Sequence, residues 1–532
     1  MKYQYNNKGN ILNRFNTKRL ICLFFCFLLA FITLMLCSKA SFLYPFNGWD
    51  DFNSFYTVGS GWANGLIPYK DLFEQKGPFL YLIFMVGYLI SPGKFLGVFG
   101  LEVIFFTFTL YFSGKIIDLF ISNEKDSREK YLILIIYAVI MTTSISFVEG
   151  GSSEEFNLLF ITITIFYILK YLKKSDLMNI TYKDLIINGL CCGLSLMIKY
   201  TTVGIWFIMM AYICIKLIIL KKYKESFIKG LVFILSMIVP FSIFAVYFYI
   251  NNALFDFLNT YFYINIFKYS MGSNILRNII NSFINLGIAV LSNISLTIML
   301  YSMFLYYLYK KVKNNYKIKI SKKQMLFLFF IVFYLIILYY GQNFWPYTLT
   351  SAFFVVLLVI IYIFKLFYKH RVFKYLYVIF ILVSLIFLVD YDYMIVNKND
   401  VVQYRFAKII NQYDNPTLLQ YRSIDEGFYT ASGIFPINKF FEQVNIGFDN
   451  LPQSYYEQDS LIMNKEVMFV IVRKYNLNRS DDFNDINYDK KMIFNAMANL
   501  DFIKNNYELI DKYDNKIGYY NTCTYYLYKV KE

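Results

Sequence analysis

The chain has 532 residues, of which 58% are hydrophobic, 21% aromatic and only 17% charged. That balance excludes a soluble enzyme, a secreted scaffold and a disordered chain, and apolar runs of about 20 residues through the first three quarters define a polytopic membrane protein. The formal net charge of +16 invites a nucleic-acid reading, but the excess sits in residues 1–19, 115–130, 170–184, 216–229, 310–323 and 365–374, which hold 29 Lys and Arg against 7 Asp and Glu. Short basic segments beside apolar runs mark cytoplasmic loops and need no nucleic-acid partner.

The predicted spans are 20–39, 98–120, 131–148, 155–172, 185–200, 202–220, 228–250, 286–309, 324–341, 347–366 and 374–391. They give an all-α membrane module of about eleven transmembrane helices over residues 1–391. The first run has the outline of a signal peptide, yet its length and the membrane segments after it predict a retained helix with a cytoplasmic N-terminus. Every basic segment then lies inside, and residues 392–532 lie outside.

The first outer loop, 40–97, is dense in charge. Gly48-Trp49-Asp50-Asp51-Phe52 opens a helix predicted over 51–63, and Gly65-Leu66-Ile67-Pro68-Tyr69 makes a turn. Glu74-Gln75-Lys76-Gly77-Pro78 then leads into an apolar stretch, 78–90, that is only about 13 residues long and suits an interfacial or re-entrant helix. If that stretch crossed the bilayer, the basic loops from Lys170 onward would all change sides. Paired carboxylates and a lysine at one membrane surface place acid and base together. Blander roles remain open: Asp50 and Asp51 suit a helix N-terminus, where capping is worth about 1 kcal/mol. Lys76 suits a snorkelling lysine, and Trp49 and Trp62 suit interfacial anchors as well as sugar platforms.

The second outer loop ends in Ser152-Ser153-Glu154-Glu155, where either carboxylate also suits a helix first turn. Lys199 follows Gly189 and Gly193 near the outer end of the fifth span, and a lysine at membrane depth is a functional candidate. The aromatic run Tyr339 to Tyr347 reads as an interfacial belt at a tight turn. Six of the seven cysteines lie in apolar runs and the single histidine, His370, lies in a basic loop, so neither a zinc site nor histidine catalysis is expected on the outer face. The tail turns polar and Gly/Pro-punctuated. A strand at 467–472, a helix at 491–505 and a strand over 517–530 predict a soluble extracytoplasmic α/β domain over 392–532.

The pair Asp50-Asp51, the spacing from Asp51 to Gly65 and Tyr69, and Glu74 just before Lys76-Gly77-Pro78 resemble the GT-C superfamily of membrane glycosyltransferases. Within it the sequence resembles glycosyltransferase family 39, which includes protein O-mannosyltransferases and the aminoarabinose transferases that modify lipid A. The resemblance implies a polyprenyl-phosphate sugar donor, a glycan, lipid or protein acceptor hydroxyl at the outer face, and an inverting displacement with an Asp general base. It puts Asp51 in that role with Asp50 beside it, and Lys76 and Lys199 on the departing phosphate. Glu74, Glu154, Glu155, Trp49, Trp62 and Tyr69 take binding or supporting roles.

The resemblance implies no cofactor and a metal-free site, although clustered carboxylates are able to hold a divalent cation. It covers the first 200 residues by motif and the rest by architecture. The family's Lys-Pro-Pro or His-Pro-Pro is Lys-Gly-Pro here, and the arginine common near the start of the second span is absent, with Glu102 nearby. A transporter or flippase of lipid-linked saccharides is the alternative, expected to show mid-span ionisable residues and broken helices in related halves. A surface-polysaccharide polymerase would carry basic residues in large later outer loops, whereas 251–285 hold only Lys268 and Arg277. The Lys, Asn, Ile and Tyr bias fits an AT-rich bacterial genome and hence a bacterial plasma membrane.

Overall fold

The computed structural model describes residues 2–121, 127–269, 275–314, 321–341, 344–367, 371–475, 500–516, 518 and 523–532. They form two compact units, one of residues 1–38, 100–242 and 271–389, the other of residues 39–99, 243–270 and 390–532. His370 and the predicted helical stretch 491–499 lie outside the described residues.

Among the described residues seven helices are long and apolar enough to cross a bilayer, and the bent pair Pro346–Ala352 and Phe354–Leu366 makes an eighth if it is one broken span. The polytopic helical class therefore holds, with a smaller count than the expected eleven. Ser127–Thr142 and Tyr182–Leu196 have 16 and 15 residues. At 1.5 Å per residue they cover roughly 22 to 24 Å, short of the roughly 30 Å hydrocarbon layer.

The predicted span 286–309 is corrected: Asn293 separates helix Ile275–Ser292 from helix Ile294–Asn314. Its amide donates to Ala289 O at 2.7 Å and to Ser146 Oγ at 3.0 Å. Much of 251–285, read as an outer loop, is helical. Asn278 and Ser282 face inward while Ile280, Phe283, Ile284 and Leu291 face outward, so two of its polar residues are covered by the fold.

In the same unit, helix Tyr182–Leu196 meets helix Tyr223–Ile250 through its glycines. A Cβ on Gly193 would come within 2.3 Å of Met237 O and 2.9 Å of Pro240, and one on Gly189 within 2.6 Å of Ser236 Cβ. The Gly-rich pattern ahead of Lys199 thus has a packing cause, backbone approach between helices.

The second unit joins residues 39–99 and 243–270 to the tail, which differs from a division at 391/392. Helix Asp50–Ala63 packs on helix Pro78–Ile90 at Gly59, where a Cβ would lie 2.7 Å from Met85 N. Pro78 opens its helix at a position where no N–H is required. The tail carries a four-stranded sheet, β1 (Leu418–Tyr421), β2 (Phe469–Tyr475), β3 (Tyr507–Asp514) and β4 (Cys523–Val530), in the order β1-β2-β4-β3. β1 and β2 are parallel, with Leu418 opposite Phe469, and the β2/β4 and β4/β3 pairs are antiparallel.

A parallel pair needs a long crossover, and helix Pro452–Met463 lies within it. Its Leu461 and Ile462 pack with Leu419, Val470, Val472 and Tyr528 in the core on the sheet. Helix Val402–Ile410 buries Val402, Phe406, Ala407 and Ile410, one helical face. The loop is stitched to the tail by Phe73 N donating to Lys439 O at 2.9 Å, and to residues 243–270 by Asn265 Nδ2 donating to Gln75 O at 2.8 Å.

Candidate active site

Helix Asp50–Ala63 begins with Trp49 at the N-cap, without a side-chain cap bond, so Asp50 and Asp51 occupy its first turn. Asp50 Oδ1 accepts the Asp51 N–H at 2.9 Å. Asp51 turns to Lys76, whose Nζ stands 4.0 Å from Asp51 Oδ2 and 3.7 Å from Glu74 Oε1. The Asp51 and Lys76 side chains are 17% and 20% exposed, enough for a small group to reach both. The Lys76 ammonium also lies 5.1 Å from the centroid of the Phe55 ring.

Lys76 is fixed by its backbone. Its N–H donates to Glu74 Oε2 at 2.8 Å and to Tyr81 Oη at 2.9 Å, and its carbonyl accepts the Tyr69 hydroxyl at 2.7 Å. Tyr81 in turn donates to Glu74. Tyr69 sits at φ 68°, locked by its N–H to Leu72 O at 2.8 Å, while Asp71 Oδ2 accepts the Ile67 N–H at 2.7 Å. The Gly65-to-Pro78 segment is therefore a frame around one lysine. Trp49 is only 2% exposed and so closed to lipid and solvent alike. Trp62 donates its indole N–H to Tyr247 Oη at 2.6 Å.

In the first unit, Lys199 Nζ contacts Glu154 Oε1 at 2.5 Å, with Glu154 1% and Lys199 12% exposed. Ser153 Oγ donates to the other Glu154 oxygen at 2.7 Å, and the Tyr347 ring centroid lies 5.7 Å from the ammonium. Glu155 does different work: its N–H donates to Ser152 Oγ at 3.1 Å and its Oε2 accepts the Gly151 N–H at 2.9 Å, which caps the helix. Glu102 accepts from Ser38 Oγ at 3.1 and 2.9 Å and has Glu155 as a neighbour. Gly150, at φ 87°, makes room for this pairing, since a Cβ there would meet Ser38 Oγ at 2.5 Å.

Sequence reasoning missed three carboxylates of the tail, Asp425, Glu426 and Glu442, all buried. Thr57 Oγ1 donates to Asp425 Oδ2 and Ser54 Oγ to Glu442 Oε2, both at 2.5 Å. Glu442 Oε2 also accepts the Asp425 N–H at 2.8 Å, and Asp425 Oδ1 the Gly427 N–H at 2.8 Å. Glu426 pairs with Arg473 and accepts the Tyr525 hydroxyl. Burial pushes Asp425 up to about 6 and Glu426 up to about 7, with the Asp50 charge adding to both. Burial and then the Glu74 charge hold Glu442 well above the usual carboxylate range. The only sequence signal was acids flanked by aromatics, as in Phe440-Phe441-Glu442. Among the described residues no three His, Cys, Asp or Glu side chains gather so as to hold a metal ion.

Apolar helices long enough to cross a bilayer, joined to a small C-terminal sheet, make up a fold shared with solved membrane proteins. ArnT from Cupriavidus metallidurans, solved bound to undecaprenyl phosphate, matches with a TM-score of 0.53 over 96% of this chain and 97% of its own, at 8% identity. The archaeal oligosaccharyltransferase AglB from Archaeoglobus fulgidus, in complex with an inhibitory peptide and a dolichol-phosphate, matches with a TM-score of 0.48 over 93% of this chain and 73% of its own, at 12% identity. No family model matches the sequence, and no curated protein does. At 8% identity the likeness to ArnT establishes a shared fold alone.

Proposed function

We propose that the protein is a membrane glycosyltransferase that moves a sugar from a polyprenyl-phosphate donor to an acceptor hydroxyl at the outer face of the bacterial plasma membrane. The observation that carries this reading is the partly open Asp51 carboxylate facing the framed ammonium of Lys76 at 4.0 Å, on a GT-C fold. Asp51 takes the proton of the acceptor hydroxyl as its oxygen bonds to the anomeric carbon, and the bond from that carbon to the phosphate oxygen breaks with inversion. The polyprenyl phosphate leaves with the electron pair, and Lys76 stabilises the charge that grows on it. The acceptor is a glycan, lipid or protein. A phosphate leaves without protonation, so one carboxylate suffices.

The test is transfer of radiolabelled sugar from synthetic polyprenyl-phosphate sugars in membranes, comparing the native protein with Asp51→Asn and Asp50→Asn at matched expression. Asn keeps size and removes the base. Loss of at least a hundredfold in Asp51→Asn supports the assignment. Full activity in that variant sinks the mechanism, and no transfer by the native protein from any donor turns the reading toward a flippase of lipid-linked saccharides.

A further inference from the structure

Helix Asp50–Ala63 is gripped from the tail at two points one turn apart. Asp50, Ser54 and Thr57 stand at i, i+4 and i+7 and so share a helical face. Ser54 gives its hydroxyl to Glu442 and Thr57 gives its own to Asp425, and all four side chains are buried. The two carboxylates are themselves tied, because Glu442 accepts the Asp425 N–H from the oxygen that also takes the Ser54 proton. Close approach is built into the backbone: Gly427 has φ 89°, and a Cβ there would lie 2.6 Å from Asn53 Oδ1 and 2.5 Å from Phe46. Asn53 in turn donates to Asn47 O at 2.9 Å and Trp49 O at 2.8 Å, the residues that lead into the helix.

Burying acids against one face of a short helix is costly unless each is hydrogen-bonded, and a hydrophobic face would have packed the two elements equally well. Hydroxyl-to-carboxylate bonds add what apolar packing lacks, a fixed rotation and register of the helix about its axis. A turn of 100° per residue separates Asp51 from Asp50, so a small rotation would take Asp51 off Lys76. We infer that Glu442 and Asp425 are positioning residues for the transfer reaction, holding helix Asp50–Ala63, through Ser54 and Thr57, at the rotation that sets Asp51 opposite Lys76. The inference rests on the glycosyltransferase reading for its consequence in rate, and on the geometry alone for the grip.

The experiment uses the full-length protein in lipid nanodiscs and takes two readouts on native, Ser54→Ala/Thr57→Val, Glu442→Gln and Thr57→Ser proteins: hydrogen–deuterium exchange, and steady-state transfer from a polyprenyl-phosphate sugar. In the Ser54→Ala/Thr57→Val protein, exchange over residues 50–58 rises at least tenfold while β1 and β2 keep native protection. Its kcat falls at least tenfold with less than a threefold change in KM. Glu442→Gln, which still accepts a hydrogen bond, shows a smaller loss, and Thr57→Ser restores both readouts. Unchanged exchange over 50–58 overturns the inference whatever the activity, and so does raised exchange with native kcat. Lost protection of β1 and β2 in the double variant shifts the decision to Glu442→Gln, where native exchange with native kcat overturns it. Raised exchange in variants of a protein that transfers from no donor upholds the grip and sinks the glycosyltransferase reading instead.

Discussion

Tyr69 donates its hydroxyl to the carbonyl oxygen of Lys76 at 2.7 Å from a backbone conformation, φ 68°, that few large side chains adopt. The phenol is fully buried among Tyr81, Phe248 and Phe257, with ring centroids 5.7, 5.3 and 5.5 Å away. An energetically unfavourable backbone is held in place so that one hydroxyl reaches the lysine that faces Asp51.

Tyr69→Phe keeps the ring packing and strips the Lys76 carbonyl of its partner. The expected cost is about 1 to 2 kcal/mol in stability, read as a lowered melting temperature in detergent. A tenfold or smaller fall in transfer kcat accompanies it, because Glu74 and Tyr81 still hold the Lys76 N–H. A variant as stable and active as the native protein would show that the frame does not need this bond.

Lys199→Met leaves Glu154, which is almost fully buried, with only the Ser153 hydroxyl as a donor in place of an ammonium. Breaking one side of a buried pair is expected to destabilise the first unit by about 3 kcal/mol, and adding Glu154→Gln recovers part of that loss. A double-mutant cycle on thermal unfolding measures the coupling; additive losses would mean the pair contributes nothing specific.

The acids at the tail set a pH dependence whose direction follows from their raised values. Asp425 at about 6 and Glu426 at about 7, both raised chiefly by burial, exceed the ordinary carboxylate range of about 4 to 4.5. Between about pH 4 and 7 the folded unit binds more protons than the unfolded chain, so stability is greatest at the acid end and declines as pH rises through the two folded values. Melting temperatures across that range test this, and Asp425→Asn with Glu426→Gln is expected to flatten the slope.

Two glycines separate packing from propensity. Gly193→Ala would drive a Cβ to within 2.3 Å of Met237 O and is expected to cost about 2 kcal/mol or more. Gly100→Ala meets nothing within 4 Å in helix Leu96–Phe120 and is expected to be neutral or to gain up to about 1 kcal/mol. Comparable melting temperatures for the two variants would contradict the close helix approach.

Local signals made residues 40–97 legible. The helix predicted over 51–63 is Asp50–Ala63, and the stretch judged too short to span is Pro78–Ile90, because Pro at a helix start and a Gly-bounded turn act within a few residues. The tail's strand at 467–472 emerges as β2, Phe469–Tyr475, and the described part of the predicted 491–505 helix is Leu500–Asn506. The boundary was misplaced at Ile275–Ser292, an apolar helix that ends before Asn293 and buries Asn278 and Ser282.

Composition and charge placement alone determined a polytopic membrane protein, because apolar length and loop charge are properties of the chain that no packing alters. The motif Asp50-Asp51 with Lys76 was also there to be read, its parts lying within one loop. Only tertiary structure decided that Asp51 faces Lys76 and that Ser54 and Thr57 meet carboxylates of the tail. It alone brought in Glu442 and Asp425, 388 and 368 residues along the chain from the hydroxyls they bind. Burial of a carboxylate depends on what covers it, and no periodicity in the sequence around an acid records a partner that distant.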